Sequence, residues 1–325
     1  MTTQQDTPLR PKELFYNISK VATYIASNTG IVDKQSLQLT TIPKDNVYIT
    51  VDLTSDEHFK LSSPNVTLYD FAVMNAAYTV LQNRRECFTP EMIVRTMACD
   101  PYMDVTPQKK SAVTRSLNKL RHIDISIDCT EEFRARGLLD DDGDEIILSS
   151  YLMPLDVARV KPAHHKDYIS GYRFIREPAL YTYAAIVEQI VSVPTELLLI
   201  DDASVTNDVI VLRDYLVRRI IAMQNEKNHI VSTRIAYERY DRDTQTYKGL
   251  LPSLGYDKEY QESHGSNWRR KKANLHRSVT TILDSFVRKG LIAGYEVVYS
   301  GGKRKTVYGV DIKLAGSKNT APPKT

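Results

Sequence analysis

The stretch NWRRKKANLHRSVTTILDSFVRK, Asn267 to Lys289, decides how the rest of the chain is read. Leu275, Val279, Ile282 and Phe286 stand at i, i+4, i+7 and i+11, with Leu283 and Val287 widening the row. That spacing predicts a helix with one apolar side that must pack on other elements. On the opposite side Arg270, Asn274, Arg277 and Thr281 repeat at the same interval. Each can read a base edge: arginine takes guanine with two hydrogen bonds, asparagine takes adenine the same way, and threonine meets the thymine methyl. Arg269, Lys271 and Lys272 add charge beside this stripe. Two strands are expected to follow, Leu291 to Tyr299 and Lys305 to Leu314, joined through the turn Ser300-Gly301-Gly302-Lys303. The glycine pair permits a tight turn that brings Lys303, Arg304 and Lys305 to a DNA backbone or minor groove.

Upstream, Val209, Leu212, Leu216, Ile220 and Met223 mark a helix from Thr206 to Asn225. A second helical piece is read over Ser232 to Tyr240, and the polar stretch Arg242 to Ser266 as a loop long enough to suggest function or mobility. Three helices followed by a hairpin is the order of a winged helix. The same order recurs earlier. Val66 opens one helix, while Thr89-Pro90 and Thr106-Pro107 open two more, because threonine caps a first turn and proline loses nothing there. Ile123, Ile125 and Ile127 then alternate with polar residues, Asp140 to Asp144 makes a turn, and Ile146 to Leu152 returns. Further on, Tyr168 to Ile175 reads as a strand and Glu177 to Ile190 as a helix.

The expected fold class is therefore α+β, with two winged-helix domains in tandem. Residues 1–60 form an N-terminal arm with a short helix (Glu13 to Ile25) and a strand (Val47 to Leu53), 61–195 the first winged helix, 196–315 the second, and 316–325 a disordered tail. The two third helices share a pattern, K-K-x4-R-S-apolar, at Lys109 to Leu117 and again at Lys271 to Val279, an offset of 162. That match falls on the same element of two independently inferred domains. Where the second copy has its base-reading stripe, the first has Gln108, Ala112, Arg115 and Lys119. Lys109, Lys110, Arg115 and Lys119 are its candidate DNA contacts.

Net charge is only +3 over 325 residues, too little to imply a polyanionic partner by itself. Its distribution is uneven. His264 to Lys313 holds eleven Lys and Arg against three acids, leaving the remainder of the chain net negative by five. Such concentration suits a phosphate-binding face in the second domain, whereas the acidic turn of the first favours dimerisation or backbone contact there. Cys87, Cys99 and Cys129 show neither zinc-ligand nor disulfide spacing, and the N-terminus lacks a signal-peptide layout, so a cytoplasmic protein with no membrane span is expected. Residues 140–144 miss the calcium-loop spacing, and His164-His165 on a strand would face opposite ways. There is no phosphate-binding P-loop and no nucleophile constellation among the 20 tyrosines. No cofactor, metal or enzymatic activity is expected.

Tandem winged helices, the second more basic and opened by Val211-Leu-Arg-Asp-Tyr-Leu-Val-Arg-Arg-Ile220, resemble the replication initiators (Rep proteins) of plasmids and conjugative elements. The resemblance implies a C-terminal unit that reads repeated double-stranded origin sites, with Arg270, Asn274, Arg277 and Thr281 on bases and Lys303 to Lys305 on the backbone. It also implies an N-terminal unit that pairs copies into a homodimer or adds a second DNA contact, and recruitment of host helicase or polymerase components. A transcriptional regulator using the same helices is the alternative, because fold alone does not select between them.

Overall fold

A computed structural model describes residues 9–19, 21, 22, 25, 47–51, 66–139, 144–160, 169–200, 205–224, 233–242, 245–300 and 306–315. The chain divides into two compact units, Met1–Glu196 and Leu197–Thr325, and is α+β in each.

The first unit runs β1 (Glu13–Asn17), β2 (Val47–Val51), α1 (Leu68–Gln82), β3 (Cys87–Phe88), α2 (Pro90–Ala98), α3 (Pro107–Leu120), β4 (Ile123–Asp128), α4 (Thr130–Ala135), β5 (Ile147–Tyr151), β6 (Leu155–Val160), β7 (Ile169–Phe174), α5 (Ala179–Ile186) and β8 (Ile190–Pro194). α1 is the central helix: Phe71, Ala72, Val73, Met74, Ala76, Ala77 and Val80 are all buried. It starts at a capping box in which the Thr67 hydroxyl accepts from the Asp70 amide and Asp70 Oδ2 accepts from the Thr67 amide. Thr89 and Thr106 cap α2 and α3, each with proline in the first turn. The strands form antiparallel sheets in the orders β2-β4-β5, β3-β7-β6 and β1-β8.

The second unit continues from α6 (Thr195–Leu198), which crosses the division, to α7 (Asn207–Gln224), β9 (Arg234–Ala236), β10 (Arg239–Asp241), β11 (Thr246–Lys248), α8 (Leu250–Ser253), α9 (Lys258–Arg288), β12 (Ile292–Tyr299) and β13 (Val307–Leu314). β12, β13 and β9 make one antiparallel sheet in that order, and β10 pairs with β11. Gly309 is where β13 lies against β9: a Cβ there would stand 2.2 Å from the Ile235 carbonyl oxygen and 2.9 Å from the Ala236 Cα.

One arrangement occurs twice. A long helix (α1 or α7) is followed by a short strand (β3 or β9), which pairs with the second of two strands that come after the last long helix. The resulting orders are β6-β7-β3 and β12-β13-β9. The first unit inserts β4-α4-β5 between α3 and this strand pair, and the second inserts the β10–β11 ribbon before α8.

Several sequence expectations are corrected. The helix read from Glu13 is instead strand β1 up to Asn17, because Leu14 and Tyr16 are buried in alternation and the strand pairs with β8, far away in sequence. The helix read to Ile190 ends at Ile186, and Ile190 starts β8. Ser232 to Tyr240 holds strands β9 and β10 rather than a helix, with Ile235 buried beneath β13. The long loop expected up to Ser266 contains β11, α8 and the first turns of α9. Strands 123–128 and 147–151 do pair, but α4 intervenes and β4 pairs with β2 on its other edge. Consequently the pair that corresponds to β12–β13 is β6–β7. Residues 140–143 of the acidic turn expected at 140–144 lie outside the described residues, as do His164, His165 and the tail.

Candidate nucleic-acid interface

α9 carries the site. Its start is capped by Asp257, whose Oδ1 accepts from the Tyr260 amide at 2.8 Å. Gly265, at φ 44° and ψ −114°, breaks the helix, a positive-φ conformation that glycine adopts without a Cβ penalty. After the break Trp268, Leu275, Val279, Ile282, Leu283 and Phe286 are buried, so the inner side of the helix is fixed by core packing. The outer side is thereby held in place: Arg269, Arg270, Asn274 and Arg277 are exposed and Thr281 is half-buried. Arg277 Nη1 donates to Asn274 Oδ1 at 3.4 Å, which joins two of the base-reading side chains.

No acid occurs between Glu262 and Asp284. Among the described residues, no carboxylate pairs with Arg269, Arg270, Lys272 or Arg277. Asp284 closes the stripe and accepts from Tyr295 Oη at 2.8 Å. Burial, reinforced by that carboxylate, pushes the Tyr295 phenol up to about 12. The phenol therefore stays a donor at neutral pH.

Lys271 differs from its neighbours. Its ammonium lies 2.5 Å from Asp208 Oδ2 on α7 and 5.4 Å from the Tyr256 ring centroid. Burial alone would lower its pKa, but the Asp208 carboxylate and the Tyr256 hydroxyl outweigh it and raise the value. Lys271 thus ties α9 to α7, and its charge is already answered within the unit. Lys272 is half-buried. Lys313 pairs with Glu296 at 2.5 Å, and Arg234 meets Asp311 with a 2.6 Å contact, so the β-sheet contributes little unbalanced charge. Lys303, Arg304 and Lys305 lie outside the described residues; their flanks are joined where Ser300 N donates to the Thr306 carbonyl at 2.8 Å.

In the first unit, α3 buries Val113, Leu117 and Leu120, the counterparts of Leu275, Val279 and Ile282 at the offset of 162. Gln108 and Arg115 are exposed, and Lys109 and Ala112 are half-buried. Lys110 pairs with Glu91 at 2.5 Å. Burial would raise the Glu91 carboxyl, but hydrogen bonds, chiefly from Lys110, hold it below the usual range. Lys119 turns inward to Asp70, which also accepts from Ser116 Oγ at 2.6 Å. Among the described residues, only Arg115 of the four expected cations of this copy is both exposed and without an acid pair, and the first copy is not a second version of the α9 stripe.

The sequence reading missed a cluster beside the stripe. Tyr256, Tyr260, His264 and Trp268 are four apart and their rings associate: Tyr256 with Tyr260 at 5.0 Å, Tyr256 with Trp268 at 5.7 Å, and Tyr260 with His264 at 3.9 Å. An open cleft of about 280 Å³ lies there, lined by Tyr260, His264, Asn267, Trp268, Arg270, Lys271 and Asn274. The spacing of four aromatic residues together with Asp257 as a cap was the available signal.

Among the described residues no group of His, Cys, Asp and Glu could hold a metal ion, and no helix is long and apolar enough to cross a membrane. No protein-family model and no curated protein matches the chain. Among solved structures, the chain is similar to a selenomethionine derivative of RctB domains 2 and 3, at 16% identity and a TM-score of 0.39 over 90% of this chain and 98% of that one. It is also similar to a second crystal structure of RctB domains 2–3, at 13% identity and a TM-score of 0.35 over 82% of this chain and 86% of that one.

Proposed function

We propose that this chain is a sequence-specific double-stranded DNA-binding replication initiator built from two winged helices, residues 61–195 and 196–315. The recurrent strand order supports the winged-helix reading, with β6–β7 and β12–β13 as wing strands and α3 and α9 as third helices. The second unit reads repeated origin sites: Arg270, Asn274, Arg277 and Thr281 contact base edges, while Arg269, Lys272 and the Lys303 to Lys305 turn contact phosphates. The first unit pairs two copies or adds a backbone contact through Arg115. Bound to its origin, the protein recruits host helicase or polymerase components and catalyses no reaction itself.

One observation carries this reading: the exposed, acid-free cationic stripe of α9 lies opposite a fully buried apolar one, so the reading groups are held at fixed positions by the core. The test starts with selection of binding sites by the full chain from randomised duplexes. Recovery of a defined sequence supports base reading; recovery of random sequence refutes it. On the selected site, replacing Lys303, Arg304 and Lys305 with alanine lowers the salt slope of log affinity by up to about 0.9 per phosphate lost, and an unchanged slope removes the turn from the interface. Loss of plasmid maintenance on gene disruption establishes initiation, whereas altered transcription with intact copying shows a regulator.

A further inference from the structure

The break at Gly265 does more than end a helix. It places His264 and Tyr260 before the bend and Trp268, Arg270, Lys271 and Asn274 after it around a single cleft. His264 is stacked on Tyr260 with ring centroids 3.9 Å apart and planes 12° from parallel. The imidazole is also held by its Nδ1, 2.9 Å from the Tyr260 carbonyl oxygen and 3.0 Å from Ser263 Oγ. Yet the ring is exposed. A fixed aromatic ring in water is not explained by core packing, and being pre-ordered it loses little entropy when a partner stacks on it. Around it stand the amides of Asn267 and Asn274, the guanidinium of Arg270, and no carboxylate in the cleft wall.

An isolated phosphate would need the cations but not the stacked rings. A paired duplex offers edges and phosphates, but its base faces are covered by neighbours. A ring face, amides and a guanidinium together suit an unpaired base with its phosphodiester. We propose that the Gly265 cleft takes one unpaired nucleotide of a DNA strand, its base stacked on His264 and its phosphate met by Arg270. This rests on the reading of α9 as a DNA-binding helix and extends it. Arg270 and Asn274 belong both to the stripe and to the cleft wall, so where the strand separates at that end of the helix Arg270 passes from base edge to phosphate while Arg277 and Thr281 stay with the duplex.

Trp268, the single tryptophan of the chain, lines the cleft and reports on it. The full chain is titrated with an oligothymidylate of about 20 nucleotides, an abasic chain of equal length, and a mixed-sequence duplex. Oligothymidylate changes Trp268 emission and binds; the abasic chain binds at least about fivefold more weakly, the factor given by ~1 kcal/mol of stacking. His264→Ala weakens oligothymidylate binding by a similar factor and leaves duplex affinity within about twofold, while His264→Phe, which keeps a ring, retains it. Equal affinity for the abasic and thymidylate chains, or equal loss with Ala and Phe, overturns the proposal. If duplex binding and its dependence on Arg277 persist while these results fail, only the cleft assignment falls; if duplex binding is absent too, the DNA-binding reading falls with it.

Discussion

α3 and α9 bury the same three positions and expose different chemistry. Val113, Leu117 and Leu120 on one helix match Leu275, Val279 and Ile282 on the other, and all six are 4% exposed or less. Outward, the first shows Gln108, Ala112 and Arg115, the second Arg270, Asn274 and Arg277. Even the lysines that tie each helix to the first long helix of its unit are solved differently. Lys119 and Asp70 are sunk in the first unit, with side chains 14% and 4% exposed, whereas Lys271 and Asp208 are 34% and 46% exposed. Two helices can thus share a packing face and differ on the opposite one, and each is tied down by an ion pair at a different position, one interior and one at a solvated edge.

That comparison can be broken at four points. The largest effect is expected from Asp70→Ala, which removes the carboxylate facing the Lys119 ammonium, the acceptor of Ser116 Oγ and half of a capping box; a loss of about 3–5 kcal/mol in denaturant unfolding of the first unit follows. A loss below about 1 kcal/mol would show the pair to be solvated like its counterpart. Arg277→Ala should reduce affinity for the selected site by ~1–3 kcal/mol and leave random duplex nearly unchanged, while Arg115→Ala changes both little. Equal loss on cognate and random duplex would make Arg277 a phosphate clamp. Asp208→Ala, at a partly exposed pair, should cost at most about 1 kcal/mol of stability in the second unit, measured by the same unfolding experiment.

The smallest effect concerns acid. Burial holds His276 below its ordinary value of about 6.5, with Tyr237 Oη 2.7 Å from its Nδ1. The folded ring stays neutral where the unfolded chain takes up a proton, so stability of the second unit is fully present above that ordinary value and declines as pH falls below it. His276→Gln should flatten this part of the unfolding-versus-pH curve. An unaltered curve would assign the acid sensitivity elsewhere.

What the sequence revealed follows from the range of each interaction. α9 was legible because its apolar row is written in neighbours three and four apart, and the Thr-Pro starts of α2 and α3 are equally local. β1 was not, since Glu13 pairs with Pro194 and nothing near Glu13 announces a partner so distant. β9 is three residues long, too short for alternation to outweigh a helical reading of Ile235 and Tyr237. β6 went unnoticed, and with it the true counterpart of the C-terminal strand pair; β4 and β5 alternate more clearly and occupied its place in the expectation. At the site, the stripe was visible from charge and period, but the bend was not. Gly265 sat in a stretch taken for loop, so the aromatic cluster on its near side was passed over, and the commitment of Lys119 and Lys271 to buried or half-buried acids required the third dimension.

The contact of β13 with β9 at Gly309 has a bearing on how this chain can vary. Any side chain at 309 would meet backbone rather than a yielding side chain, and the three-residue β9 would have to separate from the sheet, whereas Gly294 on β12 faces open space. In a saturation-mutagenesis library selected for function, codon 309 should remain glycine while codon 294 accepts many amino acids, and descendants of this gene should stand still at 309 and drift at 294.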